Sequence, residues 1–359
     1  MQHIPNDNNV VIFRGAGEPN TPSTMLQRLA EFDRSVRLES DNYSLGGDVT
    51  RLEKKCAEML GKAAAVFMPT GTLANHLAIR KLCGSKSRAV VQEQSHLYND
   101  TGDCVTQLSG INLVPLAKDR PYFTVQELEE AVVQAEAGRV MNPVGAVMIE
   151  SPVNRQSGQI VPFDEMEAIT DYCRRKQIKT HLDGARLYMM SAATGIPPAN
   201  YAALFDTVYL SLYKYFGAPF GAILAGTSEF TDGLYHDRRM FGGALASANF
   251  AAALALHGID GFEQRFARAM AKAKDLFAKI NMLDGIHIGC FEHGSNIFPL
   301  ELAADVDCDR FIKALRDHSV SVSSPSEHNS KCIMLTVNTT ILRQDTGDLL
   351  KIFNCALQH

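Results

Sequence analysis

"AAVFMPTGTLANHLAIRKLCGSKSRAVVQ", residues 64–92, is the stretch that decides the fold. It opens on a short apolar run (64–68), breaks at Pro-Thr-Gly-Thr, continues with helical spacing (71–84) and closes on a second apolar run (88–92). A strand, a helix and a strand in so few residues form a crossover unit, whose two strands run parallel with the helix across one face. The rhythm recurs. Apolar runs at 111–116, 144–150, 178–183, 207–211 and 221–226 alternate with helical stretches such as 124–138 and 163–176. About seven strands within 64–226 predict an α/β fold on a mostly parallel sheet covered on both faces.

The flanks differ in character. Residues 1–40 form a polar arm followed by a helix, "PSTMLQRLAEFDRSV". The large α/β domain is expected over 41–250. Its first helix, "DVTRLEKKCAEMLG", is predicted to start at an Asp48 cap and stop at Gly61. Beyond 250 a smaller α+β domain is expected over 251–359. It has long helices broken near Gly258, strands in "SNIFPLEL" and "KCIMLTVN", and helices at 306–317 and 345–357.

Composition limits the function classes. The chain has 359 residues, 46% hydrophobic and 21% charged, with net charge −5 and dispersed Lys and Arg. That argues against nucleic acid or an anionic membrane surface as partner. The apolar run "ALASANFAAALALHG" is too short to span a bilayer. "MQHIPNDNNV" lacks a basic segment followed by an apolar one, so no secretory leader is expected. Eight scattered cysteines with no CxxC pair suggest reduced thiols and a cytoplasmic protein, with neither a disulfide frame nor a metal site.

In an open α/β sheet, ligands bind beyond the carboxyl ends of the strands. Five strand ends carry chemistry. Thr70-Gly71-Thr72 open a helix, and a helix start offers free N–H groups to a phosphate. His96 lies in the loop after the second strand. Glu150 ends another strand and leads into Asn154 and Arg155, whose guanidinium fork suits a carboxylate. Asp183 ends "IKTHLD" and needs a positive partner in so apolar a frame. Lys214 stands in "VYLSLYKYFGAPFGAIL", where burial lowers an amine's pKa and makes it a nucleophile. Each feature alone has a plain structural explanation: a threonine cap, a structural histidine, a solvated loop. Together they supply an amine for an aldehyde, an anion for a ring nitrogen, a phosphate cradle and a flat group over a ring. Those are the needs of pyridoxal 5′-phosphate.

"PTGTLANHLAI", "QSHLYND", "HLDGARL", "SLYKYFGAPFGAILAG" and "RRMFGGALAS" resemble the threonine aldolases of the β-eliminating lyase group, which are fold-type I pyridoxal phosphate enzymes. The resemblance covers nearly the whole chain and is strongest over 43–247. It implies a Schiff base at Lys214, Asp183 paired with the ring nitrogen, His96 stacked on the ring, and phosphate contacts from Gly71 and Thr72. It places Arg186 near the cofactor's phenolate oxygen and the substrate carboxylate. Arg239 matches an arginine near the phosphate, with Arg238 as the alternative. Tyr43 matches a tyrosine reached from a neighbouring subunit, which implies a homodimer or homotetramer with shared sites. The implied reaction cleaves a β-hydroxy amino acid of the threonine or allo-threonine type to glycine and an aldehyde. β-Elimination, transamination or racemisation on the same cofactor, or a non-catalytic protein keeping the fold, are the alternatives.

Departures from the family pattern fall in the substrate site. Gly15 stands where a serine is expected and Met334 where an arginine binds the substrate carboxylate; separately, beside the cofactor lysine, Tyr213 takes the place of the preceding serine. A histidine before the strand ending in Glu150 is missing. Arg155 is expected to supply the carboxylate contact, and Ser211 to reach the phosphate.

Overall fold

The computed structural model describes residues 9–326 and 329–358. Residues 1–8, part of the segment read for a leader, lie outside them.

Strand β1 (Val11–Ile12) pairs in parallel with β11 (Val320–Ser321), which ties the N-terminal arm to the C-terminal region. Helix α1 (Pro22–Val36) starts at Thr21, whose hydroxyl accepts from the Thr24 N–H. Helix α2 (Gly47–Leu60) ends at Gly61 in the left-handed conformation, as its sequence predicts. Its start differs. Gly46 takes the cap position and Asp48 lies inside the first turn, fully buried. The Asp48 carboxylate accepts from the Glu39 N–H (2.9 Å) and from Arg51 (2.8 Å). It fastens the preceding loop instead of capping its own helix.

The central sheet has seven strands, one for each apolar run. They are β2 (Ala64–Met68), β3 (Arg88–Gln92), β4 (Asn112–Leu116), β5 (Val144–Glu150), β6 (Lys179–Asp183), β7 (Thr207–Ser211) and β8 (Ala222–Gly226), in the order β2-β8-β7-β6-β5-β3-β4. All neighbours pair in parallel except those of β8, which is antiparallel to both β2 and β7. The "GAPFG" turn makes that reversal possible. Gly217 has φ +76° and Gly221 φ +111°, and a Cβ on Gly221 would lie 2.7 Å from the Phe67 ring.

Helix α3 (Gly71–Cys83) lies across β5 to β8. Alternation along a strand puts every second side chain on one face. His181 and Asp183 on β6, and Thr207, Tyr209 and Ser211 on β7, therefore share the face beneath α3. Val208, Leu210 and Leu212 turn to the opposite face and join the main apolar cluster.

The C-terminal region carries its own small sheet. Strands β9 (Ile286–Ile288), β10 (Ile297–Leu302) and β12 (Cys332–Thr336) form an antiparallel sheet with helices at Cys308–Asp317 and Thr346–Leu357. The expected helix break near Gly258 falls instead at Asp260–Gly261, between Asn249–Ile259 and Phe262–Ile280. Gly258 is needed inside its helix because a Cβ there would lie 1.8 Å from the Phe216 carbonyl oxygen. No helix among the described residues is long and apolar enough to cross a membrane.

Candidate active site

At the carboxyl edge of the sheet the five strand ends meet around one cavity of about 500 Å³. Thr70, Gly71 and Thr72 line it, as do His96, Glu150, Asp183, Arg186 and Lys214. Four of these positions come from consecutive strands, because β7, β6, β5 and β3 stand side by side in that order in the parallel part of the sheet.

The start of α3 forms one wall. Thr70 is its cap, and its Oγ1 accepts from the Leu73 N–H at 3.1 Å. The N–H groups of Gly71 and Thr72 fall in the first turn, where the helix offers them no acceptor. They sit at the positive end of the helix dipole, which favours an anion. Tyr209 presses against this turn. A Cβ on Gly71 would lie 2.2 Å from the Tyr209 hydroxyl oxygen.

Asp183 is buried, with Oδ2 accepting from the Asn75 amide (2.6 Å) and Oδ1 from the Ala185 N–H (3.1 Å). Glu150 is a second buried carboxylate. Its side chain accepts from the His96 N–H (2.5 Å) and the Asn154 N–H (2.9 Å), so it ties together two loops that edge the cavity. Gln92, at the end of β3, grips the Glu150 main chain from both sides (2.7 and 2.8 Å). Burial, then the neighbouring Asp183 charge, pushes the Glu150 carboxyl up to about 7 against those two N–H bonds.

Lys214 stands just past β7, with its amine 6.0 Å from the Tyr213 ring centre. Burial, then repulsion from Arg186, lowers the amine to about 8, although Asp183 and Glu150 pull the other way. Tyr215 and Phe216 turn away into an aromatic cluster with Tyr188 and Phe262. Tyr213 is half exposed and lines the cavity. Asn20 pins the turn that follows by donating to the Gly217 (2.9 Å) and Ala218 (3.2 Å) carbonyls.

Other expected site residues stand elsewhere. Arg155 does not offer its fork to the cavity: Nε donates to Asp100 Oδ2 at 3.1 Å and Nη2 to Oδ1. Arg186, by contrast, lines the cavity and makes no hydrogen bond or ion pair among the described residues. Arg238 is fully buried and donates to the Phe67 (2.6 Å) and Ser44 (3.1 Å) carbonyls, so it cannot serve a phosphate. Arg239 is exposed, with its guanidinium 5.2 Å above the ring of the exposed Tyr43. Neither residue lines this chain's cavity. Ser211 is fully buried, its Oγ has no hydrogen-bond partner among the described residues, and it does not line the cavity. Tyr209, Asn75, His181 and Asn20 escaped the sequence reading. Two-residue alternation from Ser211 could have found Tyr209; the others act across large sequence separations.

The chain matches the family described as beta-eliminating lyase over residues 24–296.

It belongs to the beta-eliminating lyase family.

Similarity to individual members is modest. The low-specificity L-threonine aldolase of Candida albicans is 32% identical over 213 residues, which is 58% of this chain and 56% of that one. Low-specificity L-threonine aldolase 1 of Arabidopsis thaliana is 24% identical over 327 residues, 89% of this chain and 90% of that one. Among solved structures, a putative L-allo-threonine aldolase from Listeria monocytogenes superposes with a TM-score of 0.81 at 27% identity, covering 98% of this lyase and 96% of the other. The protein is a pyridoxal 5′-phosphate-dependent lyase of the threonine-aldolase kind. The cavity suits that cofactor. A helix start with free N–H groups, a buried carboxylate and a largely desolvated amine lie around one space, and Gly71 lets that helix start close on Tyr209.

Proposed function

We propose that this lyase cleaves the Cα–Cβ bond of a small β-hydroxy amino acid, of the L-threonine or L-allo-threonine type, to glycine and an aldehyde. The observation that carries this reading is the convergence of Lys214, Asp183, Arg186 and the α3 start on one cavity. The names of the aldolase relatives support the substrate class.

When bound, pyridoxal phosphate supplies the electron sink for the pair left by the broken bond. Each side chain has a separate task. Lys214 provides the amine that bonds the cofactor aldehyde, and a pKa of about 8 leaves part of it neutral near pH 7. The Asp183 carboxylate pairs with the ring nitrogen and favours its protonated form. The N–H groups of Gly71 and Thr72 hold the phosphate, with the Thr70 and Tyr209 hydroxyls beside them. His96, which lines the cavity, would cover the ring and take the proton of the β-hydroxyl. Arg186, without a hydrogen-bond or ion-pair partner among the described residues, binds the substrate carboxylate as a two-pronged donor.

Tyr43 and Arg239 serve the cavity of a neighbouring copy in this reading. Their exposure supports it, as does the exposure of Leu45, Met240 and Phe250 on the adjoining segments. Those segments are joined by bonds from Ser44 to Leu245 and from Asn249 to Asp41.

The test is a panel of L-threonine, L-allo-threonine, phenylserine and their D forms, with aldehyde, glycine and keto acid all measured. Matched aldehyde and glycine support the cleavage. Keto acid without aldehyde replaces it with elimination or transamination. Mixed oligomers of Tyr43→Ala and Lys214→Ala chains test site sharing, since activity returns only if each chain completes the other's cavity.

A further inference from the structure

Beneath α3 a line of buried polar groups runs away from Asp183. Asp183 Oδ2 accepts from Asn75 Nδ2 at 2.6 Å. Asn75 Oδ1 lies 2.9 Å from His181 Nε2, and His181 Nδ1 lies 2.8 Å from Thr207 Oγ1. Asn75, His181 and Thr207 are completely buried. His181 and Thr207 face each other as register partners on neighbouring parallel strands. Three hydrogen-bonding side chains in an apolar layer are costly unless each is satisfied. None of them touches the cavity.

The chemistry of the four groups gives the line a direction. An ionised carboxylate only accepts, so Asn75 must turn its amide nitrogen to Asp183 and its carbonyl oxygen to His181. That carbonyl needs a donor, so the His181 proton sits on Nε2. A neutral imidazole then has only an acceptor at Nδ1, and Thr207 must donate to it. Burial keeps His181 neutral by pulling its pKa down to about 4, against the Asp183 charge. Reversing Asn75 would set its oxygen against the carboxylate at one end and would force the imidazole into its other tautomer at the other. The amide therefore has one orientation.

We propose that Thr207, His181 and Asn75 are positioning residues that form a one-way hydrogen-bond relay, which holds the Asp183 carboxylate in one orientation toward the cofactor ring nitrogen. The relay rests on the reading of Asp183 as the partner of that nitrogen. Asn75 and the Ala185 N–H hold one carboxylate oxygen each, so the carboxylate keeps a fixed aim. Without the Asn75 donor the carboxylate is free to turn, and the ring N–H loses its fixed acceptor.

The experiment loads the enzyme with pyridoxal phosphate carrying 15N in the ring and reads the ring-nitrogen chemical shift in wild type, Asp183→Asn, Asn75→Ala and His181→Phe. The expected result is a protonated position in wild type, an unprotonated one in Asp183→Asn, and displacement toward the unprotonated position in Asn75→Ala and, less, in His181→Phe. A purely structural role would lower stability and leave that shift where it was. An unmoved signal in Asn75→Ala, with Asp183→Asn displaced, overturns the relay. An unmoved signal in Asp183→Asn overturns the reading of Asp183 beneath it. A second measurement needs no variant. In 15N-histidine-labelled wild type without cofactor, His181 should hold its proton on Nε2 and none on Nδ1 from about pH 5 to 8, above its lowered pKa. A proton on Nδ1 reverses the deduced direction and refutes the relay.

Discussion

Gly71 and Tyr209 are in such close contact that a Cβ at position 71 would lie 2.2 Å from the tyrosine oxygen and 2.5 Å from its ring carbon. The glycine opens α3 and the tyrosine stands on β7, so the contact fixes how closely the helix start approaches the strand that delivers Lys214. Gly71→Ala must displace one of them. Overpacking of this kind costs about 1–3 kcal/mol. The expected outcome is a folded protein that retains pyridoxal phosphate poorly, read as lost absorbance after dialysis. Gly71→Ala combined with Tyr209→Leu should recover part of the retention, because the leucine vacates the space taken by the phenol.

Arg155 and Arg186 should separate cleanly in kinetics. The Arg155 fork is filled by Asp100, and that pair lies at the surface, where such pairs are worth little. Arg155→Ala should leave KM nearly unchanged. Arg186→Ala should raise KM by about 10- to 100-fold, the value of a charge-assisted bond to a carboxylate. The reverse pattern in a steady-state comparison would return the carboxylate contact to Arg155.

Lys214 should react at an unusually low pH. In cofactor-free protein, labelling of this amine by an acylating reagent should rise with a midpoint near 8, against the ordinary value of 10.5. Stability follows the same shift. Between 8 and 10.5 the unfolded chain holds a proton that the folded chain does not, so the folded state gains on the unfolded as pH rises. Lys214→Met should therefore be more stable than wild type at pH 7. Urea titrations should show the gap closing as pH approaches 10.5.

Glu150 gives the opposite slope. Its folded pKa is raised from 4.5 to about 7, so within that window the folded state holds the extra proton. Wild type should then lose stability relative to Glu150→Gln as pH rises through the window, and hold a constant deficit above it. His181 titrates with the reverse sign, from 6.5 down to about 4, but it is present in both proteins and cancels from the difference. Paired denaturation curves at pH 5 and pH 8 measure the effect; equal differences at the two values would show that Glu150 stays ionised.

Much of the site was legible along the chain because its parts lie where a local pattern changes. Apolar runs of strand length, punctuated by Gly, Pro and Thr, locate all seven strands, and the residues at or soon after their ends include Thr70 to Thr72, His96, Glu150, Asp183 and Lys214. Helix starts were less legible. Asp48 has the residue type of a cap but bonds backward to Glu39, because a glycine already supplies the cap position.

Sequence alone determined the elements, their alternation and the residues at their ends, since periodicity and turn chemistry are local properties. Tertiary structure decided the partners. Arg155 was free on paper and is held by Asp100, 55 residues away; Asn75 was an ordinary helical residue and is bonded to Asp183, 108 residues away. Gly71 looked like a turn residue and is a contact surface for Tyr209. Those outcomes follow from strand order, which sets β7 beside β6 and α3 across both. Strand order reflects which apolar faces pack best over the whole chain, and no local run of residues carries that information.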